Sequence, residues 1–229
     1  MQPRRSLQNR PTDGLPTADK EEDMDPQWLS WAKKLLAIAQ TGLTYAKDQY
    51  DIERYTAVRQ IAAEIMATGS GRTDTGVLVD LFSGEVGYPT PKVDVCAAVF
   101  QDNCLLLVKE REDGGWTLPG GWADAGDAPS VAAVREVKEE SGYEVVARKL
   151  AAVYDRNLHG HPPIPYHAYK LFFLCDLVGG SAATSRETDA VGFFGEDQIP
   201  PLSLSRVTPE QIAHLFNHRR HPEWPTSFD

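Results

Sequence analysis

Cysteine is scarce: Cys96, Cys104 and Cys175 are the only three in 229 residues, and no two stand in CxxC spacing. That argues against a disulfide framework or a zinc site of paired thiolates, and it suits a reducing cytoplasm. No apolar run approaches the roughly 18 residues of a membrane-crossing helix. The arginine-bearing start, "MQPRRSLQNR", leads into no apolar core of the kind a signal peptide needs. Basic residues are outnumbered, 23 Lys and Arg against 33 Asp and Glu, for a net charge of −10. This speaks against nonspecific binding to nucleic acid or an anionic membrane. A phosphate-bearing small substrate stays open, because a bound divalent cation inverts the local field.

What is present is enough apolar material, 41% of the chain, for one core and a small appended unit. Residues 1–23 are polar and proline-bearing and are expected to be disordered, with Met24 an alternative start. Residues 24–68 carry two helical patterns. The first opens on Asp25 as N-cap and Pro26 at the first position, with Trp28, Trp31, Leu35 and Ile38 as its stripe. The second runs from about Asp48 through Ile52, Tyr55, Ile61, Ala62, Ile65 and Met66, with Gly69 beyond its end. Such a pair cannot cover both stripes alone, so it is expected to pack on the main domain or on a second copy. Residues 69–91 read as a connector, 92–218 as the main domain and 219–229 as a C-terminal tail. Strands are expected at "KVDVCAAVF" and "CLLLVKE" as a hairpin, then at "EVVARKLAAVY", "YHAYKLFFLCDLV" and "AVGFF". A last helix opens at the Thr208 cap. Strands with two helices among them predict an α/β, mixed α+β class, with a sheet between helices.

Residues 130–141 predict a helix capped by Ser130 and stopped by Gly142. At about 100° per residue, Val131, Val134 and Val137 share one side, while Glu136, Glu139 and Glu140 fall within an arc of roughly 100° on the other. Like charges so spaced repel by about 0.2–0.5 kcal/mol per pair. Two readings are open: a solvated acidic face, or carboxylates gathered for a hard cation such as Mg²⁺ or Mn²⁺. The glycines of "LPGG" and "ADAG" just before the helix favour the second.

The stretch resembles the Nudix box, G-x5-E-x7-R-E-U-x-E-E-x-G-U with U apolar. Gly121, Arg135, Glu136, Val137, Glu139, Glu140 and Gly142 fit; Asp127 replaces the first glutamate, and Tyr143 is a looser final residue. The resemblance implies a Nudix fold and hydrolysis of a nucleoside diphosphate linked to another group, X. It implies Glu136, Glu139 and Glu140 as ligands of Mg²⁺ or Mn²⁺. Arg135 would orient the loop through Asp127, and Gly121 and Gly142 would shape it. The helical pair, with "GYPTPKVDV", "YDRNLHGH" and "ETDAVGFF", is similar to a subgroup that includes CDP-choline pyrophosphatases and proteins labelled ADP-ribose pyrophosphatases. CDP-choline or a related CDP-alcohol is the first substrate implied and ADP-ribose the alternative, in a cytoplasmic homodimer. A nucleotide sensor is the non-enzyme rival, set back by the three retained glutamates; RNA as substrate has no basic stripe behind it.

Outside the box, Glu187 in "RETDAVGFF" is implied as general base, in competition with Glu139 or Glu140. Arg156 is read as a phosphate contact. His159 and His161 in "NLHGHPP" either touch phosphate or base or are merely exposed. Tyr50, Asp51, Arg54 and Tyr55 either meet X or serve domain packing; Trp116 and Trp122 read as core or rim.

Overall fold

The structure, a computed structural model, describes residues 25–71 and 75–229; residues 1–23 and Met24 lie outside them. Three helices come first: α1 (Gln27–Tyr45), α2 (Gln49–Gly69) and α3 (Thr75–Ser83). Asp25 does not cap α1. The N-cap is Pro26, with no side-chain bond, and Asp25 is turned onto Lys33 at 2.6 Å. The inner face of α1 is also rotated from the expected stripe. Leu29, Ala32 and Ala39 are buried, while Trp31 and Ile38 stay 54% and 56% exposed. Small residues decide this: Ala32 of α1 meets Ala63 and Ala67 of α2 in one cluster, so the backbones approach closely. Trp28 lies over Gly69, where a methyl group would stand 2.2 Å from its ring.

Asp48 caps α2, accepting from the amides of Tyr50 at 2.9 Å and Asp51 at 3.3 Å. The stretch read as a connector contains α3, whose Leu78 and Phe82 complete the same helical core. Its nine residues are too few to show a period between flanking Gly, Ser and Thr. Among the described residues no helix is long and apolar enough to cross a membrane.

The sheet is built around β1 (Lys92–Gln101). Asp102 and Asn103, both at positive φ, turn it into β2 (Cys104–Glu110), the expected hairpin. The short strands β3 (Trp116–Thr117) and β4 (Gly120–Trp122) follow, then α4 (Pro129–Ser141), β5 (Tyr143–Asp155), β6 (Ala168–Gly180) and β7 (Thr188–Phe194). β1 pairs parallel with β6 and antiparallel with β4; β2 carries β3 and β7. The order is β3-β2-β1-β6-β5, closed by the C-terminal β8 (Ser227–Phe228), with β4 on β1 and β7 on β2.

Alternation along β1 and β2 feeds two cores. Val95, Ala97, Val99 and Leu106 pack against Ala132, Ala133 and Val137 of α4. Cys96, Ala98, Leu105 and Leu107 face Ile212, Leu215 and Phe216 of α5 (Pro209–Arg220). The result is the expected mixed sheet between helices. The expected tail at 219–229 is instead docked: α5 runs to Arg220, and β8 (Ser227–Phe228) joins β5 in parallel. Lys149 Nζ fixes the turn between them through the carbonyls of Pro222 at 3.0 Å and Trp224 at 2.6 Å.

Candidate active site

The acidic helix α4 begins two residues earlier than Ser130 would set it. Ala128 is the N-cap, without a side-chain bond, and Pro129 opens the helix, where its missing N–H costs nothing. Gly142 ends it at φ 76, as expected. The faces differ from the simple two-sided picture. Val131 is 56% exposed, and the buried arc is Ala132, Ala133, Glu136, Val137 and Glu140. Two of the glutamates therefore lie inside the buried face, pressed on β4, and Glu139 alone is exposed.

The glycines of β4 make room for them. The Gly120 N–H donates to Glu140 Oε2 at 2.9 Å, and the Glu136 carboxyl lies beside Gly121, 3.5 Å from where a side chain would start. Arg135 extends along the same groove. Its Nη1 is 2.9 Å from Glu136 Oε1 and 3.0 Å from Glu139 Oε2, its Nη2 3.3 Å from Asp124 and its Nε 3.5 Å from Asp127. Asp127 is thus one of four carboxylates sharing this guanidinium. The buried Thr188 hydroxyl donates to the Glu140 carbonyl at 2.8 Å and ties the start of β7 to α4.

Charge is poorly balanced here. Burial pushes the Glu140 carboxyl up to about 8 against the pull of the Gly120 amide and Arg206; it also raises Glu136, opposed by Arg135, and Glu110, opposed by Arg206. Buried oxygen donors short of positive charge fit a hard divalent cation. The three box carboxylates do not meet at one point, however. Among the described residues no three acidic, histidine or cysteine side chains stand as a finished ligand set; Arg135 lies between Glu136 and Glu139.

The groove measures about 460 Å³, and Glu187, Arg186, Arg206 and Trp122 line it with the box residues. Glu187 is exposed on the loop before β7, its amide donating to Ser185 Oγ at 3.0 Å. Other predicted residues are elsewhere. Arg156 is buried and donates to the carbonyls of Pro162 at 2.8 Å and Ser205 at 3.1 Å, so it braces a loop rather than facing a phosphate. His161 is 7% exposed. Its Nδ1 lies 2.8 Å from the Leu204 carbonyl and its Nε2 2.9 Å from the Gln211 amide nitrogen. A carbonyl only accepts, so Nδ1 carries the hydrogen and Nε2 accepts; burial lowers this ring to about 4. His159 stacks on Tyr154 at 3.9 Å and bonds Asp229 at 2.8 Å.

Tyr50 is 70% exposed on α2, and Arg54 pairs with Asp51 at 2.9 Å. Neither lines the groove. Tyr55 packs on Gly42. Trp116 meets Phe194 edge-on at 4.7 Å, whereas Trp122, 48% exposed, forms the rim. Gly120, Arg186 and Arg206 belong to the groove without having been singled out. Only the "LPGG" run hinted at the first, and no spacing links either arginine to the box.

Residues 26–79 match the family model described as UDP-X-like, N-terminal oligomerisation domain, and residues 90–215 match the NUDIX domain. The chain is 48% identical over 203 residues to a candidate ADP-ribose pyrophosphatase, YjhB, of Bacillus subtilis (strain 168), covering 89% of this chain and 97% of that protein. A crystal structure of UDP-X diphosphatase superposes with TM-score 0.58 at 30% identity, over 89% of this chain and 98% of the other. An ADP-ribose pyrophosphatase from Streptococcus suis 89-1591 gives TM-score 0.57 at 43% identity, over 61% of this chain and all of its own, 100%.

Proposed function

Since this chain belongs to the NUDIX family and is a hydrolase of phosphorus-containing anhydrides, we propose that it cleaves a nucleoside diphosphate linked to X into a nucleoside monophosphate and phosphorylated X. The observation that carries this is the pair of buried carboxylates, Glu136 and Glu140, set against the Gly120–Gly121 backbone beneath an open groove. Glu136, Glu139 and Glu140 would hold a divalent cation, Mg²⁺ with Mn²⁺ as the substitute, which offsets pyrophosphate charge and lowers the pKa of water. Glu187, which lines the same groove, takes the proton as the water oxygen bonds to phosphorus. The bridging P–O bond breaks, and its electrons leave with the second phosphate. Arg186 has no ion pair among the described residues and is suited to a substrate phosphate.

CDP-choline or a related CDP-alcohol is the first substrate proposed, from the subgroup resemblance. ADP-ribose is the second, favoured by the names of the relatives. The N-terminal helices, matching an oligomerisation domain, support a homodimer, and we place it in the cytoplasm. The test is a screen of purified protein against CDP-choline, ADP-ribose and UDP-sugars with Mg²⁺ and Mn²⁺, reading products by mass. Cleavage within the pyrophosphate of at least one conjugate is expected; turnover of none of them would defeat the reading.

A further inference from the structure

The loop before α5 brings to the groove an arginine that the box does not contain. Its backbone is anchored on both sides. The Arg206 amide donates to the Ser203 carbonyl at 2.9 Å, and Ser203 is held by its own amide on the Trp116 carbonyl at 2.9 Å and by its hydroxyl on Asp113 at 2.7 Å. Val207 is fully buried, and Thr208 then opens α5 with a capping box. From this base the guanidinium reaches three elements. Nη2 donates to the Gly120 carbonyl of β4, Nε is 3.3 Å from Glu110 Oε1 of β2, and Nη2 is 3.9 Å from Glu140 Oε1 of α4.

Gly120 is the point on which these contacts act. A side chain there would start 2.1 Å from the Val95 carbonyl, so β4 can sit this close to β1 only as glycine. Without a Cβ the residue has soft torsions; β1 holds one side, and Arg206 holds the carbonyl on the other. The amide of the same residue grips Glu140. We propose that Arg206 is a positioning residue for the hydrolysis: by clamping the Gly120 carbonyl and bridging Glu110, it aims the Gly120 N–H at Glu140 and fixes that carboxylate for the cation. This rests on the reading above, in which Glu140 helps to hold the cation.

The test uses the full chain and two readouts: Mn²⁺ affinity without substrate, from the electron paramagnetic resonance of free Mn²⁺, and kcat with KM. Arg206→Ala is expected to weaken Mn²⁺ binding by about 10–100-fold, as loss of a ligand's supporting contact does. Its kcat should fall with KM within about threefold, the pattern of lost transition-state positioning. Arg206→Lys should recover only part, because an ammonium group cannot span the three partners as a rigid fork does. Glu110→Gln should move both readouts the same way by less, and should add little on top of Arg206→Ala. An Arg206→Ala protein that keeps its Mn²⁺ affinity but raises KM would mean direct contact with substrate and would overturn the proposal. If that variant does not fold, unchanged Mn²⁺ affinity in both Arg206→Lys and Glu110→Gln overturns it equally. Glu140→Gln separates the two readings. If it binds Mn²⁺ like the parent, the cation assignment itself fails; if it alone loses Mn²⁺, only the role of Arg206 does.

Discussion

At the scale of single residues, burial decides what each charged group does. Glu140 is both buried and bonded to the Gly120 amide, so Glu140→Gln keeps its shape and loses its charge. We expect kcat to fall by at least about 100-fold, given cation-centred activation of water, with the melting temperature held or raised; steady-state assays and calorimetry check this. Asp127 differs. It is one of four carboxylates around Arg135 and lies 3.5 Å from it, so Asp127→Ala should cost no more than about tenfold in kcat/KM, about 1.4 kcal/mol. Complete loss of Mn²⁺ binding in Asp127→Ala would make that residue a ligand instead.

His161 supplies a pH signature. Its folded value near 4 lies below the ordinary 6.5, so the folded protein binds fewer protons than the unfolded chain as pH falls. The stability tied to its neutral form is full above about 6.5 and is lost as pH drops toward 4, on the order of 2 kcal/mol between pH 7 and 5. His161→Gln should reduce stability at pH 7 yet flatten that dependence, as urea unfolding at the two pH values would show. The box residues were legible because chemistry fixes their spacing. The role of His161 was not, since Gln211 lies fifty residues away.

At the scale of elements, period and caps were readable and faces were not. The hairpin, the stop at Gly142 and the Thr208 cap followed from local chemistry, and the structure has all three. The inner face of α1 did not, because Trp31 and Ile38 look like core until the close approach of α2 through alanines is known. The same blindness hid Glu136 and Glu140 within the buried arc of α4: a helical wheel scores carboxylates as outward, and only the glycines of β4 reverse that. These close approaches predict an inverted propensity effect. Alanine favours a helix over glycine by about 1 kcal/mol, but at Gly69 the added methyl would strike the Trp28 ring. Gly69→Ala should therefore be net destabilising, by about 1–2 kcal/mol after overpacking. A higher melting temperature in that variant would show that Trp28 moves aside freely.

At the scale of the whole molecule, the helical unit leaves Trp31, Ile38, Tyr45 and Tyr50 at its surface, more large apolar area than a solitary helical unit normally exposes. We expect a dimer in light scattering at micromolar concentration, and Ile38→Asp should shift it toward monomer without unfolding the hydrolase domain. In the composition, α3 and the docked C-terminal residues were too short to announce themselves. The second of these has a consequence for association of another kind. β5 is thirteen residues long, and among the described residues the only strand on its outer side is the two-residue β8. A long unpaired strand is a template for other chains. Ser227 and Phe228, paired with Ala152 and Val153, act as a guard against edge-to-edge stacking. Deleting residues 224–229 should leave the groove and its chemistry in place while turbidity on storage rises, and a bulky tag fused directly after Asp229 should carry the same penalty.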